Sequence, residues 1–261
     1  QELCERFGVS RTAVWKVINQ LKEEGYEIEA VRNKGYILKS VSDVLSKEEL
    51  ESSLKTRWAG KEIHYFDRTD STNIQARLAG EAGASHGTLA VAEIQDGGRG
   101  RRGRNWISPA GVGVWMSLLL RPEISPVSAS MLTLVMALAA QKGIKEATGI
   151  ESQIKWPNDL VLNGRKICGI LVEMVAEAEH VDYFVLGFGL NVNQTSADFP
   201  QEIAQKATSL AIQSGVKIDR MALLCQILLS IEEHLALYQS QGFAPIRQKW
   251  LASACFLGEK V

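Results

Sequence analysis

A run of glycine and arginine is the part of this sequence best suited to chemistry. Residues 97–104 hold four glycines and four arginines in eight positions, directly after a predicted strand at 89–94. Glycine lets backbone N–H groups approach an anion closely, and arginine adds fork-shaped, charge-assisted hydrogen bonds. The combination predicts a mobile loop that binds a nucleotide or an acyl phosphate.

The composition of this loop also allows two other interpretations. A solvated basic loop and a nucleic-acid patch also produce arginine runs. Gly98, Gly100 and Gly103 match the pattern GxGxxG, but the residues after Trp106 do not start a helix, so a dinucleotide fold is not predicted. The sequence contains no Walker pattern.

A lysine and a glycine pair form two further clusters. In KWPND (155–159), strand alternation directs Lys155 to the face opposite Ile154 and Trp156, away from an apolar layer. In GFGLN (187–191), a strand ends with two residues that lack side chains, as expected where a ligand lies against the backbone. Either cluster alone is a weak signal.

A helix start supplies the last cluster. In DSTN (70–73), Thr72 followed by Gln75 resembles a capping box, which predicts a helix beginning here. The exposed N–H groups of such a terminus, with two hydroxyls and an amide, could also recognise a small polar ring or carbonyl.

Together these clusters resemble the biotin protein ligases. The matching motifs, in chain order, are DSTN (70–73), GRGRRGRNW (98–106), KWPND (155–159), GILVE (169–173) and GFGLN (187–191). The resemblance implies an α/β catalytic domain with a mixed sheet, similar to class II aminoacyl-tRNA synthetases, and a small SH3-like C-terminal domain that is largely absent here.

The resemblance also implies a reaction and its partners. Biotin and ATP, with Mg²⁺, would form biotinyl-5′-AMP, and the biotinyl group would pass to a lysine of a biotin carboxyl carrier protein. In that family the adenylate favours a homodimer that binds operator DNA. No residue is assigned to a metal, because the four histidines are scattered without ligand spacing.

The resemblance assigns roles to residues of this sequence. Lys155, Arg99 and Arg101 are the expected catalytic cations. The expected biotin-binding residues are Ser71, Thr72, Asn73, Gln95, Arg99, Gly100, Arg101, Lys155, Gly187 and Gly189, with room for biotin beside the two strand glycines. The expected adenylate loop and its neighbours are Gly98, Arg102, Gly103, Arg104, Trp106, Asn158 and Asn191.

The elements that position these groups fall into two regions. Residues 1–41 read as helix, turn, helix and a basic-tipped hairpin, which describes a winged helix. Four basic and no acidic residues lie between Arg6 and Lys22, so the second helix has a local positive field. The residues expected to contact DNA are Ser10, Arg11, Thr12, Lys16, Asn19, Gln20, Arg32 and Lys34. This subregion resembles the ligases that also repress biotin synthesis genes.

Residues 42–255 are expected to form the catalytic domain, and 256–261 to open the SH3-like domain. Predicted strands at 62–66, 89–94, 112–120 and 181–190 accompany helices at 47–58, 128–143, 219–239 and 243–252. Asn163 and Gly164 separate two apolar runs, at 160–162 and 165–175, and tolerate the positive φ angles of a two-residue hairpin turn.

Composition limits the possible classes of protein. With 261 residues, 46% of them hydrophobic, and a net charge of -1, the chain is large enough for two globular domains and is not a general polyanion receptor. No membrane span is predicted, because the longest uncharged segment, 124–141, contains several polar residues. A cytoplasmic protein with reduced cysteines is expected, since the four cysteines lack paired spacing.

Two alternatives belong to other functional classes. The chain could be a repressor whose α/β domain senses a small effector without catalysis, and the winged helix fits both hypotheses. A lipoate ligase shares the reaction logic, but it is not expected to combine the arginine loop with a winged helix. Pyrophosphate release and titration with each cofactor distinguish these alternatives.

Overall fold

The computed structural model describes residues 2–23, 27–31, 35–40, 45–122, 124, 126–177 and 180–256. The chain divides into two compact units, residues 1–44 and 45–261. The division falls slightly after the expected boundary between residues 41 and 42, and residues 41–44 lie outside the described ranges, as do residues 257–261 of the expected SH3-like start.

The first unit contains the predicted helix-turn-helix. Helix α1 (Glu2–Phe7) is followed by Gly8, whose φ of +63° permits the turn, and by α2 (Arg11–Glu23). The Ser10 hydroxyl accepts a hydrogen bond from the Ala13 N–H at 3.1 Å and caps α2. On α2, Ile18 is buried, whereas Val17 is 54% exposed.

The hairpin strands are also present. Strands β1 (Glu27–Val31) and β2 (Gly35–Ser40) pair antiparallel, with an irregularity after Glu27. Arg32 and Lys34, the predicted DNA contacts at the hairpin tip, lie outside the described residues.

The second unit combines helices and strands, but the predicted alternation is not complete, because its four strands between residues 153 and 191 follow one another without a helix among the described residues. Its elements are α3 (Lys47–Ser53), β3 (Ile63–Thr69), α4 (Thr72–Glu81), β4 (Leu89–Gln95), β5 (Gly113–Leu120), α5 (Ala129–Thr148), β6 (Gln153–Lys155), β7 (Asp159–Leu162), β8 (Arg165–Glu177), β9 (His180–Asn191), α6 (Gln201–Ala204), α7 (Leu210–Ser214), α8 (Arg220–Gln241) and α9 (Ala244–Ser253).

Seven strands form one mixed sheet. Their order is β3-β4-β5-β9-β8-β7-β6, in which β3 and β4 are parallel and the other neighbours are antiparallel. The predicted hairpin joins β7 to β8, and its turn residues Asn163 and Gly164 have φ of 49° and 74°. Both angles lie in the left-handed region that this type of turn requires.

Helices cover the sheet unequally. Helices α5 and α8 pack against each other over the large apolar core, and α4 packs on β4, β5 and β9. Helix α8 is long and apolar enough to cross a membrane by length and composition, but half of its most apolar stretch is buried inside this unit. Its apolar side chains are therefore used in the protein core.

One helix is shorter than predicted. Helix α3 ends at Ser53 rather than Trp58, and the Leu54 backbone is extended. The Glu232 carboxylate of α8 accepts hydrogen bonds from the backbone N–H groups of residues 57, 58 and 59 at 2.7–3.0 Å. These N–H groups bond a side chain from a distant helix, so they do not continue α3.

Candidate active site

A small cavity of about 40 Å³ lies on the sheet face that carries α4. Most of the predicted site residues converge on it. The residues that line it are Ser71, Thr72, Asn73, Gln95, Arg99, Gly100, Arg101, Trp106, Asn158, Lys166, Gly169, Ile170, Leu171, Gly187, Phe188 and Gly189.

One end of the cavity is polar but neutral, and we call Thr72, Asn73 and Gln95 the neutral end. The Gln95 carbonyl oxygen accepts hydrogen bonds from the Thr72 N–H at 2.8 Å and the Thr72 hydroxyl at 3.0 Å. Its amide nitrogen donates to Ser108 at 2.8 Å. Thr72 and Asn73 are almost fully buried, so their side chains are held in place without a ligand.

The helix start at this end differs in detail from the predicted capping box. Ser71 is the N-cap of α4, and its side chain makes no capping hydrogen bond. Gln75 donates instead to the Asp70 carboxylate at 2.9 Å. The Thr72 N–H donates to the Gln95 side chain of β4, whereas the capping box predicted the Gln75 side chain as its acceptor.

Asp70 fixes the segment that leads into the neutral end. Burial opposes ionisation of this carboxyl, but hydrogen bonds from the Gln75 amide, the Ser71 N–H and the Thr69 hydroxyl outweigh it and lower its pKa. The Asp70 backbone oxygen accepts from the Gly97 N–H at 2.8 Å. The end of β3 is thereby tied to the beginning of the arginine loop.

The other end of the cavity carries positive charge, and we call Arg99, Arg101 and Lys166 the cationic end. Arg99 and Arg101 belong to the exposed glycine-arginine loop, and Lys166 is on β8. Gly100 N–H bonds Arg104 O at 2.7 Å, and a short 3-10 turn at Arg101–Gly103 places Arg102 at a φ of 58°. The Arg101 guanidinium donates to Asn158 at 3.2 Å. A second cavity beside the first is lined by Arg99, Gly100, Arg101, Arg102, Gly103, Arg104, Asn105, Leu171 and Glu173.

The strand glycines make room for protein side chains. A Cβ on Gly189 would come within 2.4 Å of the Trp106 indole, and a Cβ on Gly187 within 2.0 Å of the Asn73 amide oxygen. Gly187 and Gly189 line the cavity, but the space directly above them is filled by these two side chains rather than left for biotin. At Gly98 the close group is backbone: a Cβ would come within 2.3 Å of the Trp106 backbone oxygen, and the Trp106 backbone N–H donates to Gly98 O at 2.8 Å.

The lysine at the cavity is Lys166. Its Nζ lies 2.7 Å from the Asp159 carboxylate and 5.0 Å from the centre of the Trp106 ring. Lys155 is not among the lining residues; it is exposed on β6, with Nζ 5.6 Å from the centre of the Phe256 ring. The predicted alternation holds for buried Ile154 but not for Trp156, which follows the end of β6 and is 69% exposed.

A β-bulge explains why the sequence did not indicate Lys166. Leu160 pairs with Cys168 while the next residue, Val161, pairs with Lys166, so Ile167 is an extra residue in β8. Ile167 and Cys168 are both buried in the core. Strict alternation would place Lys166 on the core face, and the bulge returns it to the cavity face.

Asn191 lies outside the cavity. Its buried amide donates to Thr208 O at 3.1 Å, and the Thr208 N–H bonds Lys166 O at 2.9 Å. Asn191 therefore supports the backbone of Lys166, rather than contacting a ligand in the cavity.

Six of the eight residues predicted to contact DNA are on α2 and its cap. Arg11, Thr12, Lys16 and Gln20 are exposed, and Asn19 is half-buried. Ser10 is exposed, but its hydroxyl is engaged in capping α2.

Metal-ligand clusters and disulfides are absent where the chain is described. Among those residues, no group of three or more His, Cys, Asp and Glu side chains could hold a metal. The four cysteines, all inside the described ranges, form no disulfide, and burial raises the pKa of the Cys168 thiol to about 12. Cys168 is thus an inert core thiol, whereas Cys4, Cys225 and Cys255 are half-buried.

A helix-turn-helix unit and a mixed-sheet unit with a basic small-molecule site define a DNA-binding ligase class. The Biotin/lipoate A/B protein ligase family matches residues 65–191, and an HTH domain family matches residues 1–37. The Bifunctional ligase/repressor BirA of Bacillus subtilis is 46% identical over 99% of this chain and 79% of its own length. The BirA of Escherichia coli is 30% identical over 96% and 76%.

Solved structures agree with the sequence relatives. The biotin protein ligase from Aquifex aeolicus in complex with biotin and ATP has a TM-score of 0.66 and 34% identity, covering 76% of this chain and 81% of that one. The chain therefore belongs to the biotin protein ligases, and within them to the bifunctional ligase/repressors that carry an N-terminal helix-turn-helix.

Proposed function

We propose that this chain activates biotin with ATP to biotinyl-5′-AMP, transfers the biotinyl group to a lysine of a biotin carboxyl carrier protein, and represses transcription in response to biotin. The division of the cavity into a neutral end and a cationic end is the observation that carries the proposal. Biotin has a neutral ureido ring at one end and a carboxylate at the other, which matches that division.

The neutral end suits the ureido group. Thr72, Asn73 and Gln95 present hydroxyl and amide groups that donate and accept hydrogen bonds without carrying charge. The buried Trp106 indole N–H has no hydrogen-bond partner within the described part of the chain, so a ligand oxygen would satisfy it.

The cationic end suits the first reaction. A biotin carboxylate oxygen attacks the α-phosphorus of ATP, the bond to the β-phosphate oxygen breaks, and pyrophosphate leaves with that electron pair. Negative charge grows on the phosphoryl oxygens, and Lys166, Arg99 and Arg101 stabilise it. Mg²⁺ would arrive bound to the ATP phosphates and neutralise the leaving pyrophosphate.

The second reaction uses the same site. The neutral ε-amine of the acceptor lysine attacks the carbonyl carbon of biotinyl-5′-AMP, an amide bond forms, the amine loses its proton, and AMP leaves. The arginine loop, closed over the adenylate, would exclude water from this reactive anhydride until the acceptor arrives.

Pyrophosphate release with biotin and ATP tests the ligase proposal. Replacing Lys166 by methionine keeps the length of the side chain and removes its charge, so adenylate formation should slow by about 100-fold or more. Lys155→Met removes the charge of the lysine to which the resemblance assigns the catalytic role, and the exposed Lys249→Met is the matched control that should retain full activity. If Lys155→Met is inactive and Lys166→Met is active, Lys155 has the role predicted from the sequence. Without pyrophosphate release in the wild type, an effector-sensing repressor is the better hypothesis.

The repressor role assigns operator DNA to α2. Arg11 and Lys16 are exposed cations on this helix, so each should contact a phosphate or a base edge. Replacing either by alanine should weaken operator binding and reduce the slope of log affinity against log salt by about 1. An unchanged slope in both variants would argue against this interface.

The remaining features of the proposal concern the state of the protein. We expect a homodimer when the adenylate is bound, and a cytoplasmic location, where ATP is present and thiols stay reduced. Sedimentation with and without biotin and ATP tests the dimer, which should increase when both ligands are present.

A further inference from the structure

An acidic side chain lies where anionic ligands are expected. Glu173 is on β8 and lines the second cavity, two residues beyond Leu171 and on the same face of the strand. One of its carboxylate oxygens accepts a hydrogen bond from the Asn73 amide nitrogen at 2.7 Å. The other lies 3.3 Å from the Arg99 guanidinium.

Glu173 determines how the Asn73 amide is turned. The Asn73 amide oxygen is 2.7 Å from the Ser117 hydroxyl, and its nitrogen faces Glu173. A carboxylate only accepts hydrogen bonds, so the amide nitrogen must be the atom that faces it. Asn73 is 5% exposed, and a reversed amide would bury its oxygen against a carboxylate at a cost in free energy.

Glu173 also competes for Arg99. The guanidinium of Arg99 lines both cavities and pairs with Glu173. A ligand carboxylate or phosphate that binds Arg99 must share its N–H groups with Glu173 or replace it. The two side chains are 44% and 33% exposed, so solvent screens the pair and the exchange is inexpensive.

We propose that Glu173 is a positioning residue that orients the Asn73 amide and serves as the counter-ion of Arg99 until the anionic group of the ligand arrives. The inference rests on the proposed function, because the ligand is taken to be biotin. One residue thereby connects the neutral end of the cavity to the cationic end.

Calorimetric titration of the full chain with biotin and with biotinol, in which a hydroxyl replaces the carboxylate, tests the two roles separately. Glu173→Gln keeps an acceptor for Asn73 but removes the charge that competes for Arg99. It should raise the preference for biotin over biotinol about two- to fivefold. Glu173→Ala also removes the acceptor, so it should weaken biotinol binding about tenfold or more.

The affinities for biotin and biotinol are also measured for the control variants. The exposed Glu202→Gln should leave both affinities unchanged. Glu173→Asp has a shorter side chain, which moves the carboxylate away from Arg99. It should raise the preference for biotin over biotinol, as Glu173→Gln does, and it replaces Glu173→Gln in the test if Glu173→Gln does not fold. A wild-type preference in both Glu173→Gln and Glu173→Asp, or wild-type biotinol affinity in Glu173→Ala, overturns the inference. A wild-type protein that binds neither ligand overturns the proposed function with it.

Discussion

The two ends of the cavity are built by opposite physical strategies. At the neutral end, side chains from α4 and β4 are buried and hydrogen-bonded to one another. At the cationic end, Arg99 and Arg101 lie on an exposed loop and have few partners, such as Glu173 and Asn158. The same small cavity therefore combines a preorganised half with an adaptable half.

In the proposed function, this difference separates recognition from catalysis. Preorganised groups bind without further loss of conformational entropy, which in that proposal favours affinity and specificity for the ureido ring. Ordering the glycine-arginine loop costs about 1–2 kcal/mol in lost backbone entropy for each residue that is fixed. The loop therefore closes only when its contacts with the ligand charges offset that cost. Substitutions at the two ends should accordingly affect different measurable properties.

Gln95→Leu should have the largest effect, because it leaves the buried Thr72 N–H and hydroxyl without an acceptor. We expect a loss of about 2–3 kcal/mol in the free energy of unfolding, measured in urea, and at least about 100-fold weaker biotin binding. The exposed Gln205→Leu should change stability by less than about 0.5 kcal/mol. Wild-type stability in Gln95→Leu would show that the neutral end is not preorganised.

Arg101→Ala should separate activity from stability. Its guanidinium is on the exposed loop, so the free energy of unfolding should change by less than about 0.5 kcal/mol. The KM for ATP should nevertheless rise about tenfold, since one charged hydrogen bond to the ligand is lost. The exposed Arg247→Ala is the control and should alter neither quantity. A large loss of stability in Arg101→Ala would contradict the contrast between the two ends.

Trypsin digestion should show the loop ordering directly. Without ligand, cleavage after Arg99, Arg101, Arg102 and Arg104 should be fast, because an exposed loop opens at little cost. Biotin with ATP should slow cleavage at these sites and leave cleavage elsewhere, for example after Arg247, unchanged. Equal rates with and without the ligands would refute the ligand-driven closure of the loop.

Asp70 should give the smallest effect, visible only in acid. Its folded-state pKa is lowered below its ordinary value, because hydrogen bonds to the carboxylate outweigh its burial. The stabilisation is therefore fully present above the unfolded pKa and is lost as pH falls through the lower folded pKa. Unfolding in urea between about pH 5 and 2 should show a shallower acid loss in Asp70→Asn than in the wild type. A steeper loss would contradict the assigned direction.

Local patterns in the sequence predicted most elements correctly. The Asn163-Gly164 turn and the strands near it follow from local conformational preference, and the apolar helix at α5 follows from composition. The end of α3 did not, because the N–H groups of residues 57–59 bond Glu232, which is more than 170 residues away in the chain. Contacts between distant segments leave no periodic signal in either one.

The cavity lysine shows the same limit at the site. Strand alternation pointed Lys155 away from the apolar layer and the resemblance assigned it a catalytic role, whereas no pattern in the sequence indicated Lys166. The bulge at Ile167 reverses the face on which Lys166 lies, and its register is set by pairing with β7. Glu173 was missed for a similar reason, because only the folded sheet brings it to Asn73 and Arg99.

The sequence by itself determined the chemical types present: a flexible cationic loop, an uncharged polar helix start, glycines within a strand, and a basic helix-turn-helix. These are properties of residue type and of neighbours along the chain. Tertiary structure alone decided which cation enters the cavity, which side chains fill the space above Gly187 and Gly189, and which carboxylate connects its two ends. Strand register and packing set those relations, and both depend on segments far apart in the chain.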